Sequence, residues 1–313
     1  MLLRILVVIG MTAFFLWPAP SSAAVCTASF SGLSFGAVDT LSLSETTGSA
    51  NVDIDCTDVE ADTVTICIYL GAGSGGSSGA TRFLTSGTAQ LGYGLFKDAG
   101  HVAAWGDNDA TLGTAQRIIF SANSDVATGN ATIYGKMAAE QASAAVGTYL
   151  STLDNSSARI AYAEGTSLDC DSPGGAQEAT GSLAVSAAVE PNCNIVTHDL
   201  DFGITGIIDH DLAADTTLEV TCTPGSRFSI GMGNGENHDG SSRRMRDGDK
   251  FVTYGLFHGP SGTSPWGALS GVNTVDDTAE TSNNNRTVYG TVPRQPALPG
   301  LYSDTVVVTI TYE

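Results

Sequence analysis

Tyr254-Gly-Leu-Phe257 and, a little later, Trp266-Gly267 decide the reading of this chain, because the same words stand earlier as Tyr93-Gly-Leu-Phe96 and Trp105-Gly106. Both pairs keep one offset of 161 residues (93 to 254, 105 to 266), and Arg82-Phe-Leu84 recurs at that offset as Arg243-Arg-Met245. Working outward, Cys26, Leu33-Ser-Phe35-Gly36 and Cys56 are matched by Cys193, Leu200-Asp-Phe202-Gly203 and Cys222. Downstream, Tyr134-Gly135 is matched by Tyr289-Gly290, and Gly147-Thr-Tyr149 by Gly300-Leu-Tyr302. Each copy closes on a strand-like segment, Arg159–Tyr162 in the first and Val306–Tyr312 in the second. A shared order and offset make these two diverged copies of one domain, and two copies are too few for a solenoid.

Within each copy the apolar residues come in short alternating runs separated by Gly, Ser, Asp and Asn, the pattern of twisted strands joined by tight turns. Thr305–Glu313 alternates most clearly. The fold class is therefore all-β, with two tandem antiparallel sandwiches and little or no helix. The domain reading places a signal peptide at 1–24, the first copy at 25–172, a linker with a further strand at 173–190, and the second copy at 191–313. Arg4, the apolar stretch Ile5–Trp17 and the small residues up to Ala24 have the order of an export signal cleaved after Ala23 or Ala24. On that reading one or two residues precede Cys26.

A net charge of −20 over 313 residues excludes a nucleic-acid partner, since a phosphate backbone needs a basic surface. Six cysteines behind an export signal read as disulfides. Cys193 and Cys222 are the second copy's own cysteines and pair with each other; Cys26 and Cys56 hold the equivalent positions; Cys67 and Cys170 remain for a third bond. Closing a loop of about 30 residues stabilises a domain by roughly 3–4 kcal/mol.

These landmarks resemble the spore coat protein U domain: the early Cys and Phe-Gly, Arg-x-Met, Tyr-Gly-Leu-Phe, Trp-Gly, and Gly300-Leu-Tyr-Ser-Asp304 before the last alternating strand. The first copy departs from the pattern, with Phe83-Leu84 near the Arg-x-Met position, extra cysteines, and no Asp after Gly147-Thr-Tyr149. The resemblance implies immunoglobulin-like sandwiches that build archaic chaperone–usher pili, the second copy lacking one strand. A periplasmic chaperone supplies that strand first, the outer-membrane usher receives the subunit, and a neighbouring pilin subunit's N-terminal extension then takes the position by β-strand addition. It also implies export through the periplasm to the cell surface, as a two-domain tip subunit. Val306, Val308, Ile310 and Tyr312 are the expected chaperone and strand-exchange residues, with the Tyr312 ring buried at the strand end. Leu183, Val185, Ala187 and Val189 alternate ahead of Cys193 like a donor strand, and either complete the first copy or begin the second.

An adhesive site is expected in loops of the first copy, at the Gly71–Gly79 tip or the His101–Asp109 segment carrying Trp105, toward an abiotic or host surface; the repetition of Tyr93 and Trp105 as Tyr254 and Trp266 reads instead as core. The alternative function is an extracellular carbohydrate-binding module using such loops. An enzyme has little to build on. The five histidines show no HExxH spacing, Gly71–Gly79 lacks the Lys-Ser/Thr ending of a phosphate loop, and Asp209-His210-Asp211 reads as a solvated turn. No metal or cofactor is expected.

Overall fold

The computed structural model describes residues 23–109 and 111–313; the export signal lies outside the described residues save its last two positions. The first copy runs β1 (Val25–Phe30), β2 (Leu33–Val38), β3 (Thr46–Thr57), β4 (Thr63–Leu70), β5 (Ser77–Ser78), β6 (Thr81–Ser86), β7 (Ala89–Phe96), β8 (Gln116–Ser121), β9 (Ala127–Met137), β10 (Gly147–Glu164) and β11 (Gln177–Val189). The second runs β12 (Cys193–Thr197), β13 (Leu212–Cys222), β14 (Arg227–Met232), β15 (Arg243–Asp247), β16 (Lys250–Phe257), β17 (Val275–Thr278), β18 (Arg286–Val292) and β19 (Val308–Tyr312). The described residues contain no helix. Both copies are immunoglobulin-like sandwiches.

The strands follow from their side-chain periods. In β3, Ala50, Val52, Ile54 and Cys56 are buried while Asn51, Asp53 and Asp55 face water, the alternation of a sheet with one wet face. In contrast β4 is buried without a break from Val64 to Leu70, because both its faces are covered. Val64, Ile66, Ile68 and Leu70 enter the main core. On the other face Cys67 and Tyr69 pack with Ala115, Ala161, Cys170, Leu168 and Ala176 in a satellite cluster.

The first copy's strands run in the order β1-β3-β9-β7-β6-β10-β11-β2, with β4 pairing both β10 and β8. β10 changes partners along its length, and the change is marked by a register shift between Asp154 and Arg159. The second copy forms a five-stranded sheet, β12-β13-β18-β16-β15, facing a three-stranded one, β17-β14-β19. Each copy has a tyrosine corner: Tyr149 Oη donates to Ala145 O at 2.8 Å and Tyr302 Oη to Leu298 O at 2.7 Å.

Disulfides join Cys26 to Cys56, Cys67 to Cys170 and Cys193 to Cys222. The first and last lie at corresponding places, across β1–β3 and β12–β13. The segment 173–190, read as a linker with a further strand, holds β11 in the first copy's sheet, leaving only Glu190, Pro191 and Asn192 between β11 and β12. The copies also touch through Val146 N, which donates to Pro224 O at 2.8 Å.

Candidate functional site

Trp105 Nε1 donates to Ile68 O and Trp266 Nε1 to Ile230 O, which aligns β4 with β14 residue by residue. The closing strands can then be compared directly. Ala158, Ile160 and Tyr162 lie opposite Leu70, Ile68 and Ile66; Val308, Ile310 and Tyr312 lie opposite Met232, Ile230 and Phe228. Upstream, the repeat equates Tyr149, Ser151 and Leu153 with Tyr302, Asp304 and Val306.

In the first copy this closing strand has neighbours on both edges. β11 pairs antiparallel with β10 from Gly147↔Val189 to Leu153↔Leu183, and parallel with β2, with Val185 opposite Leu33 and Val189 opposite Val38. Leu183, Val185, Ala187 and Val189 all enter the first copy's core. That is the segment whose alternation marked it as donor-like. Its other side chains, Ser182, Ala184, Ser186 and Ala188, suit the outer face.

The second copy has nothing at the corresponding place among the described residues. β19 pairs with β14 alone, and Leu200–Thr205, the counterpart of most of β2, forms no strand. Burial records the difference. Tyr149, Ser151, Leu153, Ala158 and Ile160 are buried, whereas Tyr302, Asp304, Val306, Val308 and Ile310 are only half-buried. Leu33 and Phe35 are buried, Leu200 and Phe202 half-buried.

The backbone shows the same vacancy. Arg227 and Glu313 exchange two bonds of 3.0 Å, Gly233 N donates to Val307 O at 2.8 Å, Glu236 N to Thr305 O at 3.1 Å, and Ser303 and Arg246 bond each other at 2.8 and 3.1 Å. Thr309, Thr311 and Glu313 thus turn their peptide groups toward β14, the carbonyls of Val307 and Thr305 follow them to that side, and Ser303 is held by β15. By strand alternation, Tyr302, Asp304, Val306, Val308 and Ile310 turn theirs to the uncovered edge. An edge of this kind is a template for another strand. It also explains why Thr305–Val307, read as strand from sequence, lies outside β19. The Tyr312 ring, expected to be buried, is 45% exposed, since no strand lies beside it.

A polar cluster fixes the strand from beneath. Asp304 Oδ2 accepts from Tyr254 Oη at 2.6 Å, and Oδ1 accepts from Asn237 N at 3.2 Å and Asn237 Nδ2 at 3.0 Å. Gly235, at φ +85°, lies so close that a Cβ there would sit 2.0 Å from Asp304 Oδ2. Burial, then the hydrogen bond and charge of Asp304, push the Tyr254 phenol far above its ordinary range. Arg243 donates to Met232 O, Gly233 O and Trp266 O, as Arg82 donates to Leu70 O, Gly71 O and Trp105 O. Burial lowers the pKa of both guanidiniums. The basic cluster around Arg243 therefore holds backbone.

Two features of the expected adhesive site need correction. Trp105 is 1% exposed, with its indole N–H spent on the core, so it can touch no ligand; the exposed apolar side chain of its loop is Val102, at 84%. Of Gly71–Gly79, Ser77–Gly79 stand exposed at the β5–β6 turn; the rest is no free hairpin tip. Gly71 N donates to Ser157 O at 2.7 Å and Ser74 N to Thr152 O at 2.9 Å, and a Cβ on Gly75 would lie 1.7 Å from Phe83 O. Gly71–Gly75 is strapped along β10. His210 Nδ1 meets Asp209 Oδ1 at 2.7 Å in an open loop, both side chains at least 70% exposed.

A family model described as the Spore Coat Protein U domain matches residues 13–155 and again 179–309. The chain belongs to the spore coat protein U domain family. The second spore coat protein U match opens inside β11, a strand that folds into the first copy. No curated protein matches the chain. Among solved structures it is similar to a chain of the CsuC–CsuE chaperone–tip adhesion subunit pre-assembly complex from archaic chaperone-usher Csu pili of Acinetobacter baumannii. That likeness has 18% identity over 91% of this chain and 99% of the other, with a TM-score of 0.49. It is also similar to the CupB6 tip adhesin of Pseudomonas aeruginosa, at 11% identity over 93% and 95% of the two chains, with a TM-score of 0.37.

Proposed function

We propose that the chain is an exported subunit of a chaperone–usher pilus, with the second copy as a strand acceptor and the first copy already completed by β11. The observation that carries this reading is one place in the fold seen in two states. Beside β10 the position is filled by β11, with four side chains in the core; beside Tyr302–Tyr312 it is open. An incoming strand would satisfy the free peptide groups and cover Leu200, Phe202, Val306, Val308 and Ile310. A periplasmic chaperone is the first occupant, and a neighbouring pilin subunit the lasting one, after transfer at an outer-membrane usher.

The distal position in the fibre is supported by β11. The family pattern counts this segment with the second copy, as its leading extension. Here it is spent inside its own chain, so this segment does not reach another subunit. Three constraints hold it there: the ladder to β10, the ladder to β2, and the three-residue connection to β12.

The test is to express the chain with and without its chaperone, and to image the fibres with a label on the first copy. A one-to-one complex with the chaperone, degradation without it, and label confined to fibre ends are the expected results. A stable free monomer that never enters fibres, or label along the shaft, would overturn the reading.

A further inference from the structure

The copies differ most sharply in chemistry at one residue of the closing strand. Ser151 in the first copy corresponds to Asp304 in the second. Ser151 is buried and makes one bond to the strapped loop, accepting from Gly75 N at 3.2 Å. Asp304 accepts three, from Tyr254 Oη and twice from Asn237, and hydrogen bonds to a charged acceptor are roughly twice as strong as neutral ones. The partner side differs in step. Tyr93, the counterpart of Tyr254, turns its buried hydroxyl toward Ser151 without closing a well-formed hydrogen bond. Where the neighbouring strand is present, the clamp is reduced; where it is absent, the clamp is complete.

Resting on the acceptor reading above, we infer that Asp304 is a positioning residue that keeps the vacant edge of the second copy extended and ready for an incoming strand. Backbone support is thinnest just there. Between the β14 ladder, which begins at Val308, and the tyrosine corner at Tyr302, the strand is held by the single bonds at Val307 and Thr305 and by the bridge at Ser303. The carboxylate ties the middle of this stretch to β16 through Tyr254 and to the β14–β15 loop through Asn237. Without it, an arriving strand must order its own template as it binds. Once the strand is seated, a ladder on the free edge holds the segment, and the clamp becomes dispensable, as it is at Ser151. The carboxylate therefore acts on the rate of strand capture.

The test uses the full mature chain and a synthetic peptide with the sequence of residues 177–189, whose alternation fits the equivalent position in the first copy. That position is already occupied by β11, which leaves the second copy to bind the peptide. Association and dissociation rates are measured for the wild type, Asp304→Ser and Asp304→Asn. Tyr254→Phe loosens the clamp from its other side and serves as a second variant should Asp304→Ser fold poorly. The expected result is an association rate lowered about tenfold in Asp304→Ser, the equivalent of one lost charge-assisted bond, less in Asp304→Asn, with dissociation rates unchanged. A residue that only stabilises the bound domain would raise dissociation and leave association alone. That result, or rates equal to wild type, would overturn the inference while leaving the acceptor reading intact. Failure of the wild type to bind the peptide would overturn both.

Discussion

Tyr93 and Tyr254 occupy equivalent places, yet Tyr254 Oη donates to Asp304 at 2.6 Å while the buried Tyr93 Oη only nears Ser151, with no well-formed bond. The energetic asymmetry of hydrogen bonding sets opposite outcomes for the same change. Tyr93→Phe removes a buried hydroxyl that makes no well-formed bond and should be neutral or stabilising by up to about 1 kcal/mol. Tyr254→Phe leaves a carboxylate short of a donor and should cost the second copy about 1–3 kcal/mol. Urea unfolding of the two variants, followed separately for each domain, checks both. Burial raises the pKa of both phenols, with the Asp304 contact adding to the effect at Tyr254. A phenol whose folded pKa is raised holds its proton more tightly in the folded chain than in the unfolded one. Its contribution is complete below the unfolded value near 10 and is lost as pH climbs through that value toward the folded one. Stability should therefore fall above about pH 10, and Tyr93→Phe should flatten the fall in the first copy. An unchanged slope in that variant would assign the alkaline loss to other groups.

At the scale of elements, β11 decides whether the first copy is complete. Leu183, Val185 and Val189 are buried in its core, and each such side chain is worth roughly 1.5–3 kcal/mol. A chain cut after Ser172 should then be less stable than one cut after Pro191 by roughly 5 kcal/mol or more, and equal melting temperatures would remove β11 from the first copy's account. The third disulfide fastens the segment leading into β11. Cys67 and Cys170 stand 103 positions apart in the sequence, and Tyr69 Oη and Asn108 Nδ2 both donate to Cys170 O. Replacing both cysteines by serine should cost the first copy about 4–5 kcal/mol and leave the second unchanged in calorimetry. The repeat made the domains, the equivalence of Cys26–Cys56 with Cys193–Cys222, and the inward face of β11 legible in the sequence. It could not tell which sandwich takes β11, because alternation fixes the faces of a strand and says nothing of its neighbours. Trp105 offers two readings in the sequence, adhesive from its loop and core from its repetition as Trp266, and the structure keeps the second. Asp304 left a signal in the same comparison, an Asp in the second copy with no Asp at the matching place in the first. Its partners, Tyr254 and Asn237, come from segments 50 and 67 residues away and only the fold brings them together.

For the whole molecule, the consequence is a chain with one closed sandwich and one open one. The two are joined by three residues and braced by the contact from Val146 to Pro224. The open half carries half-buried apolar side chains along one edge, a surface prone to pairing with any extended chain. Deleting Thr309–Glu313 removes most of β19, the strand that borders the vacancy. The truncated chain should fail to co-purify with a chaperone and should be degraded in the periplasm; normal accumulation and arrival at the cell surface would rule out this strand as the docking site. The central claim is that the free edge of Tyr302–Ile310 receives a strand, and amide hydrogen exchange at single-residue resolution tests it most directly. In the free chain, the amides of Val306, Val308 and Ile310 should exchange fast while those of Thr309 and Thr311, bonded toward β14, stay protected; in the chaperone complex or the assembled fibre all five should be protected. Protection of Val306, Val308 and Ile310 already in the free chain, or their continued fast exchange in the fibre, would contradict the account.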